Sequence, residues 1–173
     1  MIEMTGYRVA DPESLETPVM VVYEERVDHN IRALGELVGG SDNLMPHVKT
    51  HKAEAVARKQ VESGVVGFKC ATLSEAEMAL NAGGKEVVLA YPLTQRIKAE
   101  RFADLAAENA EALVVAIVSR PEHVDLLGRV AQERGTVLRA MVDLDVGMHR
   151  TGVEVGAGAA DLYRQAAAHP LPH

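Results

Sequence analysis

Leu113-Val-Val-Ala-Ile-Val118 is an uninterrupted apolar run, and a helix-like pattern follows it at residues 121–134 and ends at Gly135. Val87-Val-Leu-Ala90 is a second run of this kind, again with a helical pattern behind it. Strands that are apolar throughout, rather than at alternate positions, are typical of parallel sheets covered on both faces. The two runs therefore predict strand–helix units in which helices connect parallel strands.

The same alternation extends over most of the chain. A strand at 19–23 and a helix at 25–38 come first. Five strand–helix units are then predicted, with strands at 44–49, 65–71, 87–91, 112–118 and 136–142 and helices at 53–63, 72–82, 94–109, 121–134 and 159–168. In the second of these helices, Ser74 and Glu77 have the spacing of a capping box. A serial βα pattern predicts an α/β fold, either a TIM-type barrel or a doubly wound sheet.

The number of units suggests that the fold is incomplete. A (β/α)8 barrel closes with eight units and needs about 250 residues, whereas this chain has 173. His169-Pro-Leu-Pro-His173 is typical of a loop that leads to another strand. We therefore expect an N-terminal piece of a longer protein. Residues 1–42 would form a strand and helix leading into the barrel, and residues 43–173 its first part.

Composition argues against several classes of protein. Apolar residues make up 47% of the chain and charged residues 25%, as in ordinary globular proteins, and the formal net charge is -7. We therefore expect neither nucleic acid nor a membrane as a partner. No apolar run reaches membrane-spanning length, and no signal peptide is visible. Cys70 is the single cysteine, so no disulfide can form within the chain, and we expect a cytoplasmic protein.

Pro46-His-Val-Lys-Thr-His51 lies at the end of the first predicted strand of the barrel. Since side chains on a strand alternate between faces, His47 and Lys49 would share one face and Val48 the other. If Val48 packs under helices, Lys49 would point into the barrel, where an unpaired ammonium must lose its proton, find a partner or react. Such a lysine suits Schiff-base chemistry. The alternative is a surface lysine on an edge strand or loop.

A second motif, Val142-Asp-Leu-Asp-Val-Gly-Met-His-Arg-Thr-Gly152, follows the last predicted strand. Gly147 and Gly152 allow backbone turns that side chains would obstruct. Arg150 offers a planar donor fork suited to a phenolate or a carboxylate. Because residues after the carboxyl ends of barrel strands face the active site, Arg150 and Lys49 are expected to converge on one pocket.

The two acidic residues of that motif have two interpretations. Asp143 and Asp145 could bind a metal, but two carboxylates without further ligands are a weak signal. We expect them instead to pair with basic residues or to cap the loop. Cys70, within a strand, is expected to be a small core residue and not a nucleophile. Met45 and Met148 are expected to pack.

Taken together, the motifs resemble a known group of enzymes. Five segments occur in the order seen in the D-threonine aldolase and D-serine dehydratase group of alanine racemase-like, fold-type III enzymes, which use pyridoxal 5'-phosphate (PLP). The segments are Thr17-Pro18, Asp28-His-Asn-Ile31, Pro46-His-Val-Lys-Thr-His-Lys52, Ala71-Thr-Leu-Ser-Glu-Ala-Glu77 and Asp143-Leu-Asp-Val-Gly-Met-His-Arg-Thr-Gly152.

The resemblance implies a (β/α)8 barrel of the alanine racemase N-terminal kind, with about the first five βα units present. It implies that Lys49 is the lysine that forms a Schiff base with PLP. Arg150 would lie near the phenolic oxygen of the cofactor or the carboxylate of the substrate, and His47 beside the cofactor. It gives no metal ligand to this segment. Later strands and a C-terminal β domain, absent here, would supply the phosphate site and the ligands of a divalent metal.

The activity implied by the resemblance is that of a PLP-dependent lyase acting on small D-amino acids. Cleavage of D-3-hydroxy amino acids to glycine and an aldehyde ranks first, and dehydration of D-serine or racemisation are the alternatives. We expect this chain alone to be inactive or nearly so. A homodimer is possible. Two readings from other classes stay open: a non-catalytic protein that carries PLP, and a plain α/β binding module in which Lys49 is incidental.

Overall fold

The computed structural model describes residues 2–4 and 6–169. In it, helices alternate along the chain with the strands of one parallel sheet. In chain order the strands are β1 (Ile2–Met4), β2 (Tyr7–Val9), β3 (Gly67–Cys70), β4 (Glu86–Leu89), β5 (Leu113–Val118), β6 (Arg139–Val142), β7 (Leu144–Asp145) and β8 (Val153–Glu154). The helices are α1 (Glu24–Leu37), α2 (Glu54–Glu62), α3 (Leu73–Asn81), α4 (Arg96–Glu108), α5 (Pro121–Arg134) and α6 (Ala157–Ala168). Residues 170–173, which belong to the predicted C-terminal loop, lie outside the described residues.

The central sheet has the strand order β3-β4-β5-β6, and every neighbouring pair is parallel. A parallel bridge between His47 and Lys69 adds the preceding segment beside β3. The strands thus lie side by side in the order in which they occur along the chain. A doubly wound sheet would show a reversal of this order. Of the two α/β architectures that the sequence left open, the structure therefore favours the barrel, of which it shows a part.

The two faces of the sheet are covered differently. On the outer face, Phe68, Val87 and Val114 join the helices in the main core, where Phe68 and Phe102 are fully buried. Burial of a phenylalanine side chain contributes about 2–3 kcal/mol to folding. On the inner face, a small cluster of Val88, Val115 and Ile117 packs separately. Both faces of β4 and β5 are therefore apolar, which explains why the sequences of these strands are continuous apolar runs.

Two predicted strands differ in the structure. Residues 19–23 form no strand, and Val19, Met20, Val21 and Val22 are exposed. An extended segment becomes a strand only when a neighbour pairs with its backbone, and no described strand lies beside this one. The strand predicted at 44–49 is reduced to the bridge at His47, next to which the Lys69 N–H donates to the Pro46 carbonyl at 2.9 Å. A short 3-10 helix, Val48–Thr50, then turns the chain away from β3.

The start of α3 is capped two residues earlier than predicted. The Thr72 hydroxyl accepts a hydrogen bond from the Glu75 N–H at 3.1 Å, and Glu75 accepts one from the Ala71 N–H at 2.7 Å. The Ser74–Glu77 prediction was therefore wrong, although the capping spacing itself recurs at Thr72 and Glu75. Thr72 is the residue that stays extended, and only such a residue can serve as N-cap.

Two small sheets were not predicted. β1 and β2 form an antiparallel hairpin, and β7 and β8 form a two-residue parallel pair. Strands of two or three residues are too short for hydrophobic periodicity to show. No helix in the described part of the chain is long and apolar enough to span a membrane.

Candidate functional site

A pocket of about 540 Å³ opens on the inner face of the sheet, at the carboxyl ends of the strands. It is bounded by the segment after the His47 bridge, by the loop after β4 and by the loop between β7 and β8. Its lining includes His47, Lys49, Lys69, Ile117, Asp143 and Arg150. The structure thus brings together the two sequence motifs that we expected to converge, although about a hundred residues separate them. We call this space the central pocket.

Lys49 is presented to the central pocket by the 3-10 turn after the bridge. Val48, its neighbour, is completely buried in the main core and fixes the turn. The Lys49 N–H donates to His47 Nδ1 at 3.4 Å. The Lys49 side chain itself is exposed and pairs with no acidic side chain among the described residues. Of the two placements that the sequence left open for Lys49, the structure shows the exposed one, because the described strands do not close around the pocket.

His47 shares the inner face with Lys49 and is half-buried. Burial lowers the pKa of His47 below its usual 6.5, and the charges of Lys49 and Lys69 lower it further. The charge of Glu75 and a backbone hydrogen bond with Lys69 act in the opposite direction. The imidazole is therefore neutral at pH 7. Since Nδ1 accepts the Lys49 N–H, the proton of this neutral ring lies on Nε2. His47 can thus donate a hydrogen bond without adding charge.

Arg150 reaches the central pocket from a loop that Asp145 organises. One Asp145 oxygen accepts from the N–H groups of Gly147 and His149, both at 3.0 Å, and the other contacts His149 Nδ1 at 2.8 Å. The two backbone hydrogen bonds, followed by the contact with His149, lower the pKa of Asp145 to about 2, against the opposing effect of burial. This matches the expectation that Asp145 caps the loop.

The glycines of this loop are needed for its backbone. Gly147 and Gly152 have φ values of +117° and +99°, which side chains rarely tolerate. At Gly152 the backbone also passes so close to Leu144 and Asp145 that a Cβ would clash with both. The close approach lets the Val153 N–H donate to the Asp143 carbonyl at 2.8 Å, next to the β7–β8 pair. Asp143 lines the pocket, and its Oδ2 is buried with no hydrogen-bond partner in the part of the chain that the structure describes.

Sequence reasoning missed two charged residues of this region. Lys69 lines the central pocket. The available signal was its position between the core residues Phe68 and Cys70, since a strand residue between two side chains of the outer face points to the inner face. Glu75, only 5% exposed, bonds Lys52 Nζ at 2.8 Å. Burial opposes ionisation, but the Lys52 and Ala71 hydrogen bonds prevail and lower the pKa of Glu75.

The sulfur residues divide between the core and the surface. Cys70 is fully buried, and burial followed by the charge of Glu75 raises the pKa of its thiol to about 12. It is a core residue, as expected, and not a nucleophile. Met148 is 73% exposed, so the expectation that it packs was wrong. Met45 is 36% exposed and its Cε lies beside Gly67, so this methionine packs in part. Among residues 2–4 and 6–169, no three His, Cys, Asp or Glu side chains lie together as metal ligands would.

The chain belongs to the family described as "Alanine racemase, N-terminal domain", whose sequence pattern matches residues 22–172. A 3-hydroxy-D-aspartate aldolase of Paracoccus denitrificans is 29% identical over 179 residues, which cover 97% of this chain and 46% of the aldolase. An alanine racemase of Mycolicibacterium smegmatis is 35% identical over 158 residues, which cover 87% of this chain and 36% of the racemase.

A solved structure agrees with the sequence relatives. The crystal structure of the D-threonine aldolase from Filomicrobium marinum matches with a TM-score of 0.80 at 28% identity, over 89% of this chain and 41% of that one. The predicted fold, a partial barrel of the alanine racemase N-terminal kind, and the resemblance on which it rested are therefore confirmed. The chain spans less than half the length of these relatives.

Proposed function

We propose that the chain is the cofactor-binding part of a PLP-dependent lyase that cleaves D-3-hydroxy amino acids to glycine and an aldehyde. One observation carries the proposal: Lys49 and Arg150 line the same pocket at the carboxyl ends of parallel strands. That is where barrel enzymes place their catalytic groups. The relatives named above, two aldolases and a racemase, support a reaction on amino acids.

The residues of the central pocket fit the chemical groups of PLP. The pocket volume of about 540 Å³ is in the range of small-molecule sites. Lys49 supplies a primary amine that pairs with no acidic side chain of the described residues and can bind the aldehyde of the cofactor. Arg150 supplies the donor fork for the phenolic oxygen or for a substrate carboxylate. When bound, PLP supplies an electron sink for the bond that breaks at the substrate α-carbon.

Other side chains of the central pocket can donate hydrogen bonds, attract anions or transfer protons. His47, neutral with its proton on Nε2, can donate a hydrogen bond to an oxygen beside the cofactor. Lys69 adds a positive charge that attracts an anionic ligand into the pocket. After product forms, the Lys49 amine can accept a proton or deliver one, because it is held at the pocket and not in the core.

Turnover by this chain alone is expected to be poor. The Lys49 and Arg150 side chains are both exposed, so water reaches the place where charge develops. Exclusion of water strengthens the interactions that catalysis uses. We propose that further polypeptide covers the pocket and supplies the ligands of any divalent metal. Under this proposal the active protein is longer, takes small D-amino acids and is cytoplasmic; a homodimer is compatible with it.

Product analysis tests the reaction. A protein that carries this chain at the length of its relatives would be incubated with PLP and with D-threonine or 3-hydroxy-D-aspartate. Glycine is the expected product; a 2-oxo acid with ammonia would instead show a dehydratase, and the L-enantiomer a racemase. Lys49→Ala should lower kcat by at least about a thousandfold, as loss of a group that bonds the reacting centre does.

Lys69→Ala is the matched control, because it removes a lysine from the same pocket without removing the proposed reactive amine. Its activity should stay within about tenfold of the parent. Robust aldol cleavage by the 173-residue chain would contradict the expected need for further polypeptide. PLP binding through Lys49 without turnover of any of these substrates by the longer protein would favour the non-catalytic PLP carrier.

A further inference from the structure

A second concave space of about 520 Å³ lies beside the central pocket. We call it the basic groove and define it by Tyr91, Lys98, Ser119, Arg120, His123 and Arg150. It runs between the loop after β4, the first turn of α4 and the start of α5. Tyr91, Arg150 and Thr151 line both the groove and the central pocket, so that the two spaces are continuous.

The charges of the basic groove have one sign. Lys98, Arg120 and Arg150 line it, and no carboxylate does. None of the three pairs with an acidic side chain among residues 2–4 and 6–169, whereas Arg58, Arg96, Arg101, Arg134 and Arg164 do. This concentration of positive charge stands out in a chain whose formal net charge is -7. Such a cleft raises the local concentration of anions.

His123 adds a buried polar group to the groove. The residue is 7% exposed, and its Nδ1 accepts the Ser119 N–H at 3.3 Å. Burial lowers the pKa of His123, the charge of Arg120 lowers it further, and Glu122 acts in the opposite direction. The neutral ring therefore carries its proton on Nε2, for which no described residue provides an acceptor.

The first turn of α5 also favours an anion in the basic groove. This helix has fourteen residues, and no side chain caps its first turn, which holds Pro121 and the acidic Glu122. The positive end of its dipole thus faces the region of Arg120 and favours a negative group there. The cations and the Nε2–H group of His123 together match the chemistry of an oxyanion, and the helix dipole adds to them.

We propose that the basic groove binds a carboxylate or phosphate group of a ligand whose remaining atoms lie in the central pocket. We assign this group to the second carboxylate of a dicarboxylic 3-hydroxy amino acid. The assignment to a substrate rests on the function proposed above, whereas binding of an anion in the groove does not.

Titration of this chain with inorganic phosphate and with succinate tests the site, followed by NMR at the Cε1–H of His123. Saturable shifts are expected for both anions. Arg120→Gln and Lys98→Gln should each raise Kd about tenfold, since each removes a charged hydrogen-bond partner. Arg32→Gln is the matched control: it removes one positive charge from an exposed position of α1, outside the groove, and should leave Kd unchanged. No saturable shift, or equal Kd values for Arg120→Gln and Arg32→Gln, would overturn the proposal.

The source of the anion is tested on the chain after PLP has been fixed to Lys49 with borohydride. If succinate still shifts His123 with an unchanged Kd, the groove is free for a substrate carboxylate, as we expect. If the fixed cofactor abolishes succinate binding, the assignment to a substrate is overturned and the groove holds the cofactor phosphate. A failure of the reduction to mark Lys49 would count against the proposed function, but phosphate and succinate binding by the untreated chain would still support the groove.

Discussion

Asp145 shows how one side chain arranges the loop that carries Arg150. Three hydrogen bonds converge on its carboxylate, from two backbone N–H groups and one imidazole. They require the ionised form, because only the carboxylate can accept all three. Without these hydrogen bonds from Asp145, the turn that carries Arg150 would not be held at the central pocket.

The order of this loop should therefore depend on pH in a predictable direction. The folded pKa of Asp145, about 2, is below the ordinary value of 3.8. Such a group stabilises the folded loop fully above about pH 4, and the contribution is lost as pH falls through about 2. The amide shifts of Gly147 and His149, followed by NMR, should move with a midpoint near 2. Asp145→Asn should show no such transition, and a midpoint near 4 in the parent chain would contradict the account.

Glu75 is a second single residue that we expect to contribute strongly to the stability of the fold. Its buried carboxylate joins the Lys52 ammonium to the Ala71 N–H, and so fastens the segment after Lys49 to the start of α3. Glu75→Ala leaves the Ala71 N–H without its acceptor, and should lower the free energy of unfolding by about 1–3 kcal/mol. Urea denaturation measures this change.

Two controls accompany the Glu75 variant. Lys52→Ala should cost less, about 0–1 kcal/mol, since the lysine is 64% exposed and the carboxylate keeps its backbone donor. Glu77→Ala removes a more exposed carboxylate of the same helix, paired with Arg101, and should also cost about 0–1 kcal/mol. Equal losses for Glu75→Ala and Glu77→Ala would show that burial of Glu75 does not matter.

At the scale of elements, the β7–β8 pair depends on one glycine more than on another. Gly147 and Gly152 both have positive φ, but only at Gly152 would a Cβ also clash with neighbouring backbone. Gly152→Ala should therefore open the pair and speed hydrogen exchange of the Val153 amide by about tenfold or more, the equivalent of about 1.4 kcal/mol. Gly147→Ala should change this exchange less. The reverse order would contradict the geometry.

The sequence was a good guide to the elements that bury apolar faces. The five predicted barrel helices and the strands β3 to β6 are all present, because 3.6-residue periodicity and continuous apolar runs report burial directly. The strand predicted at 19–23 has the same apolar character but pairs with no strand among the described residues. Whether a neighbouring strand is present to pair with cannot be read from the segment itself. The bridge at His47 is short because the turn at Val48–Thr50 follows at once, and turn geometry leaves little trace in hydrophobicity.

The site was predictable in part, for a reason that belongs to the whole molecule. Lys49 and Arg150 are far apart in sequence, but parallel strands end at one edge of a sheet, so that topology alone brings them together. The basic groove was not foreseen, because it depends on side chains that meet across α4, α5 and two loops. Lys69 was foreseeable from its place between two core residues of β3 but was overlooked. The sequence left the burial of Lys49 open, because burial at this edge depends on how far the barrel closes.

The most direct measurement is the identity of the lysine that PLP modifies. The chain would be mixed with PLP, reduced with borohydride and mapped by mass spectrometry, with Lys49→Ala and Lys69→Ala treated in the same way. The account predicts one dominant adduct on Lys49, retained in Lys69→Ala and lost in Lys49→Ala. An adduct on Lys69, or labelling spread evenly over the exposed lysines, would contradict the central claim that the turn after His47 presents the cofactor lysine.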